Sequence, residues 1–326
     1  MAQVVFGMAI PHSGMLGQKP EDWLGNGERD RKNPELWYRN RTWTYPELEA
    51  ERSGEGFEKY LALEERSARS ARCFAAIDTM RKAYEAANVD VAIILGKDQK
   101  EIFIDHSPSL AIYTGEEIYN GPPGRSVYAP DRPVTHRAYP ALASHLIKSL
   151  QADRFDMTDL FRWTENIWLK AGPIVPHAYG YIYHQIMRDD PPPNVPVIMN
   201  CFYPPTQPSM PRCIELGKAL YRAIMAWPGN ERIAIIASGG LTHFVCDESF
   251  DRRIMGYLEN FDFDALAAVD DRSYQSGTSE IKLYAAMLVS MEQIGAKMTL
   301  VDYVPCYRTK AGTGEGMGFM HWRAGI

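Results

Sequence analysis

Val89-Asp90-Val91-Ala92-Ile93-Ile94-Leu95 is nearly all apolar, too short for a separate helix and too continuous for a strand with one wet face. Runs of this kind are strands buried on both faces of a sheet. Before it, over residues 57–87, Leu61, Leu63, Ala68, Ala71, Phe74, Ile77, Met80 and Tyr84 recur at largely helical spacing, and Asn88 supplies a stop. A helix leading directly into a buried strand is the repeating unit of an α/β sheet.

The alternation extends outward in both directions. Residues 4–10 read as a strand that feeds the loop Pro11-His12-Ser13-Gly14. Residues 196–202 are a further apolar strand, followed by a turn with Pro204, Pro205, Pro208 and Pro211 and a helix to about Trp227. Residues 232–238 form the next strand and run into Gly239-Gly240-Leu241-Thr242-His243. A helix over 279–294 follows Gly277-Thr278, with Thr278 or Ser279 as its N-cap. The pattern predicts one α/β domain over 1–326 with a central, largely parallel sheet flanked by helices. Residues 18–55 are polar and aromatic with little periodicity, and read either as a lid excursion near the strand ends or as a plain surface insertion. Residues 120–133 and 189–196 read as surface loops, and Gly312-Thr313-Gly314-Glu315-Gly316 as a flexible loop within a second stretch, 306–320, long enough to close over a site.

The 326 residues are 45% hydrophobic and 23% charged, which suits a folded core, and the net charge of -6 speaks against binding nucleic acid through its phosphates. No apolar run reaches the roughly 18–20 residues that span a bilayer, and residues 1–7 lack the basic segment of a signal peptide. Five widely spaced cysteines without a CxxC pair fit reduced thiols and a cytoplasmic setting better than disulfides or a thiolate zinc site. There is no GxSxG elbow, and no GxxxxGK[ST] loop to cradle a nucleotide.

Ligands in such sheets gather beyond the carboxyl ends of the strands, where His12, the pair Asp98-Gln99, and His243 all fall. His12 could coordinate a metal, move protons, or be a hydrogen-bonded structural histidine. His243 follows two glycines that let the backbone turn sharply. His177 lies in Pro176-His177-Ala178-Tyr179-Gly180-Tyr181, an aromatic segment suited either to core packing or to the wall of an aromatic site. Glu280 stands in the first turn of a helix, where a carboxylate is commonly a capping or dipole partner. His106, His136, His145, His184 and His321 have no convergent context and read as surface or structural.

At these positions the chain resembles the class III, LigB-type extradiol dioxygenases. Pro11-His12-Ser13-Gly14 is similar to the family's metal-histidine loop, and Phe155-Asp156-Met157-Thr158 to a strand-region signature. Pro176-His177-Ala178 is similar to the segment with an active-site histidine near the substrate. Ser238-Gly239-Gly240-Leu241-Thr242-His243 resembles the motif of the catalytic acid/base, and Gly277-Thr278-Ser279-Glu280-Ile281 the region of the carboxylate ligand. Length and Gly96-Lys97-Asp98-Gln99 look most like single-chain 3-O-methylgallate or gallate dioxygenase-like proteins. Gln99 stands where the family usually has a second metal histidine.

The resemblance implies Fe(II) held by His12, Glu280 and, in the open position, Gln99, with Asp98 or His106 as other sources of a ligand. It implies a hydroxylated aromatic acid or related heterocycle as substrate, O2 as co-substrate, His243 as acid/base and His177 assisting. Tyr179 and Tyr181, with Trp163, are expected at the aromatic wall. Two other readings stand beside it: a zinc or other divalent-metal hydrolase or decarboxylase on the same scaffold, and a non-catalytic binding protein. Neither a nucleic-acid nor a membrane partner is expected, and a homo-oligomer is compatible with the sequence.

Overall fold

The computed structural model describes residues 1–121, 128, 130–163, 165–166, 171–173 and 175–324. Its central sheet has nine strands: β1 (Gln3–Ile10), β2 (Val91–Gly96), β3 (Leu110–Tyr113), β4 (Thr158–Leu160), β5 (Asn194–Met199), β6 (Arg232–Ser238), β7 (His243–Val245), β8 (Ala296–Tyr307) and β9 (Thr313–Ala324). The order across the sheet is β7-β9-β1-β6-β2-β5-β3-β4, with β8 paired to β9. The centre, β1-β6-β2-β5, is parallel. β9 runs antiparallel to β1 on one side and β3 antiparallel to β5 on the other. The fold is α/β, as the alternation of elements predicts.

Every residue of β2 and β5 is buried, because helices cover both faces of the sheet. Side chains alternate between two cores, as the period of a strand requires. Ile93, Leu95, Val197 and Ile235 point to the face covered by the helices Pro140–Ala152, Met210–Met225 and Ile281–Gln293. Ala92, Ile94, Ile198 and Ile236 point to the face covered by Leu63–Glu85 and the segment around Tyr179–Ile186. The Met210–Met225 helix begins where Ser209 accepts a hydrogen bond from the Arg212 backbone N–H, with a proline in its first turn. The chain leaves the Leu63–Glu85 helix through Asn88 at φ 49, a left-handed value that asparagine tolerates.

Residues 18–55 fold as a helix, Trp23–Lys32, a short hairpin of Leu36–Tyr38 with Arg41–Trp43, and a second helix, Tyr45–Glu51. Arg308 ties this segment to the last hairpin through two hydrogen bonds to the buried Asp30, at 2.6 and 2.8 Å.

The expected flexible loop at 312–316 is corrected: from Thr313 these residues belong to β9, paired with β7 and β8. Their glycines serve close packing, since the Asp251 carboxylate occupies the space that a side chain on Gly316 would need. Of the loop expected over 120–133, residues 122–127 and 129 lie outside the described residues, while its flanks Glu117–Asn120 and Val134–Arg137 pair as a hairpin. Among the described residues no helix is long and apolar enough to cross a membrane.

Candidate active site

Parallel strands deliver their carboxyl ends to one edge of the sheet, where a cavity of about 310 Å3 opens. His12 enters it from the loop after β1, and Lys97 and Gln99 from the residues after β2. His243 reaches it from the start of β7, His177 from the start of a short helix, His177–Tyr181, and Glu280 from the residue preceding the Ile281–Gln293 helix. A second cavity of about 400 Å3, beside Tyr38, Arg39 and Phe250, has no histidine in its lining.

Glu280 is the hub. It is fully buried, and its side chain makes no capping bond to its own helix. Its Oε2 accepts the Gly240 backbone N–H at 2.5 Å and lies 3.5 Å from His243 Nε2. Its Oε1 lies 3.2 Å from His12 Nε2 and 2.7 Å from the Lys97 ammonium. Burial alone would raise this carboxyl, but His12, Lys97 and His243 together hold it well below the usual carboxylate range. The glycines around it are there for room. A Cβ on Gly239 would lie 2.6 Å from Glu280 Cβ, and one on Gly277 would collide with the His243 ring. Neither Gly239 nor Gly240 adopts a positive φ, so close approach, and not a left-handed turn, is what requires glycine there.

Each histidine is fixed through its Nδ1. Ser238 Oγ donates to Ala178 O at 2.6 Å, so its single proton is committed and it accepts from His12 Nδ1 at 3.0 Å. His12 Nε2 faces Glu280 Oε1. Burial holds this imidazole below its ordinary pKa, with Glu280 opposing the shift. His243 Nδ1 donates to Leu241 O at 2.9 Å. Burial would lower His243 too, but Glu280 and Glu315 outweigh it and raise its pKa. His177 Nδ1 lies 2.9 Å from both oxygens of Glu101, which also accepts the His177 backbone N–H at 2.8 Å. The rings of His12 and His177 meet edge to face at 4.5 Å.

Residues 62–305 match the family model of the catalytic LigB subunit of aromatic ring-opening dioxygenase. The chain belongs to the LigB family. It is also 32% identical over 110 residues to a gallate dioxygenase from Pseudomonas putida, a match that covers 33% of this chain and 29% of that protein's length.

The donors expected in this LigB chain fit a divalent metal poorly. Among the described residues no group of three or more His, Cys, Asp or Glu side chains is arranged to hold a metal ion. Gln99, the expected third ligand, lines the cavity and is half-buried. The deciding group is Lys97, fully buried with its ammonium on the carboxylate oxygen that a metal would take. At an effective dielectric of about 20, the ammonium's repulsion of roughly 8 kcal/mol on a doubly charged ion about 4 Å away offsets about half of the attraction that the ion would feel from a carboxylate about 2 Å away.

The structure thus brings His12, His177, His243, Glu280 and Gln99 to one cavity. It does not bring Tyr179 and Tyr181 there. Both are fully buried on the core side, where Tyr179 donates its hydroxyl to Val197 O at 2.8 Å and Tyr181 packs edge-on against Tyr128. Trp163 likewise stacks on Tyr113. The apolar side of a short helix at a sheet face belongs to the core, which is why an aromatic run was ambiguous there. Sequence reasoning gave no site role to Lys97 or Glu101, although both lie within two residues of the Asp98-Gln99 pair. Asp98 itself accepts backbone N–H groups from Lys100 to Phe103 and shapes this turn.

Proposed function

We propose that this chain binds a hydroxylated aromatic acid, or a related heterocycle, in the cavity and opens its ring with O2. The observation that carries this reading is the pair of fixed imidazoles, His243 and His177, beside the buried Glu280–Lys97 pair at the strand ends. His243 takes the proton of a ring hydroxyl and later returns it, and His177, turned by Glu101 so that Nε2 is free of its Nδ1 bond, assists. Ring opening is then a reaction between the ionised ring and O2. The ring supplies the electrons, and both oxygen atoms end in the opened product, so no external reductant is required. Arg29 stands exposed at the mouth, placed for the carboxylate of an aromatic acid. The family assignment and the partial similarity to a gallate dioxygenase support the reaction class.

Fe(II), implied by the resemblance, would compete with the Lys97 ammonium for Glu280 Oε1, and the steps above do not run through it. The same acid–base set favours one second reading, a proton-transfer reaction such as decarboxylation. Oxygen uptake and CO2 release, measured with a panel of catechols, gallates and dihydroxypyridines, separate the two. Ring opening is expected to consume one O2 per product for at least one diol, and to fall sharply in His243→Gln. CO2 release without oxygen uptake selects the second reading. If no diol gives turnover, with or without added Fe(II), the proposal fails.

A further inference from the structure

We propose that Lys97 is the resident cation of this site: its ammonium takes the place of a divalent metal on Glu280 and receives the ionised ring oxygen of the substrate. The inference rests on the aromatic-acid reading above and adds the group that holds the substrate's anion.

Three observations carry it. First, Glu280 Oε1, the carboxylate oxygen that faces His12 Nε2 at 3.2 Å, already has a cation beside it. Lys97 supplies it from 2.7 Å, on a side chain anchored directly after β2 and fully buried.

Second, that ammonium has bonding capacity to spare. Its contact with Glu280 is an ion pair at a poor hydrogen-bonding angle, and among the described residues Nζ makes no hydrogen bond. The Phe202 ring covers one side at 4.4 Å, and the group lines the cavity on the other. An ammonium carries three donors and no acceptor, so an anionic oxygen entering the cavity meets an N–H donor with no competing partner. A hydrogen bond between two ions is among the strongest a site can offer.

Third, the charges balance. Lys97 and Glu280 cancel, and a hydroxyl proton passed to a histidine leaves an imidazolium and a phenolate, again neutral as a pair. Lys97 is a positioning and binding group here. It carries no electrons, and the redox change stays between the ring and O2.

The test uses the full chain after chelator treatment and 4-nitrocatechol, whose ionised form absorbs at longer wavelength than the neutral one. Binding to the metal-depleted protein is expected, with the spectrum of the ionised form. In Lys97→Met affinity is expected to fall about tenfold or more, the weight of one hydrogen bond between charged groups. Because Lys97→Met leaves Glu280 unpaired, Lys97→Met/Glu280→Gln is measured beside it as a charge-neutral control of folding. Equilibrium dialysis against Mn(II) gives a readout on the native chain alone. Far less than one equivalent bound is expected, and stoichiometric Mn(II) that disappears in Glu280→Gln would overturn the inference. Nitrocatechol binding that requires added metal overturns it too, while the aromatic-acid reading survives. Binding in neither condition removes both.

Discussion

Nδ1 of His177 lies 2.9 Å from each carboxylate oxygen of Glu101, a residue 76 positions earlier in the chain. The carboxylate fixes both the ring orientation and the tautomer, as second partners of catalytic imidazoles do. Glu101→Gln is expected to lower kcat about 10–100-fold with a smaller change in KM. If Glu101→Gln and His177→Ala lower kcat additively in the double variant, Glu101 does not act through His177.

The Lys97–Glu280 pair is buried on both sides, so removing one charge strands the other. Lys97→Met is expected to destabilise the fold by about 3–5 kcal/mol, and Lys97→Met/Glu280→Gln to recover much of that loss. Urea denaturation of the single and double variants checks this. Strictly additive losses would mean that the two groups are not coupled.

Asp30 and Arg308 join the 18–55 segment to the last hairpin, with Thr313 Oγ1 as a third donor to Asp30 at 2.6 Å. Asp30→Ala should cost about 3–5 kcal/mol, the usual effect of leaving one buried ion unpaired. Hydrogen exchange is expected to accelerate first in the Trp23–Lys32 helix. Uniform acceleration through the sheet would show that this pair does not anchor that segment in particular.

Asp251 is buried below β9, and burial pushes its carboxyl up to about 7 despite donation from Tyr303 and Thr242. In the unfolded chain it titrates near about 3.9. Between those values the folded state holds a proton that the unfolded state has lost. The contribution is therefore complete below the unfolded pKa and is lost as pH rises through the folded one. Stability should fall with pH by up to about 1.4 kcal/mol per unit in that window, and Asp251→Asn should remove this part of the slope. Equal slopes in urea titrations of the two proteins would contradict the raised pKa.

The sheet was legible because β1, β2 and β6 are buried on both faces, and burial on both faces writes itself as an unbroken apolar run. His12, His243 and Glu280 were legible through the loops that carry them to one edge. Lys97 was not. A lysine after an apolar strand reads as the first exposed residue, and only the fold shows a carboxylate from a residue 183 positions later closing over it. Glu101 was hidden for the same reason, since its partner is remote in sequence. Gly314 and Gly316 read as loop residues by composition, whereas in the sheet they make room for the carbonyl of Cys306 and for Asp251. Tyr179 and Tyr181 read as a wall by residue type, and the helix turns them to the core.

The most direct measurement is oxygen uptake, with the ring-opened product quantified, by chelator-treated protein given catechols and gallates with and without added Fe(II). Turnover that is equal in both conditions and lost in His243→Gln is the expected result. Turnover that appears only when Fe(II) is supplied would contradict a site whose cation is Lys97.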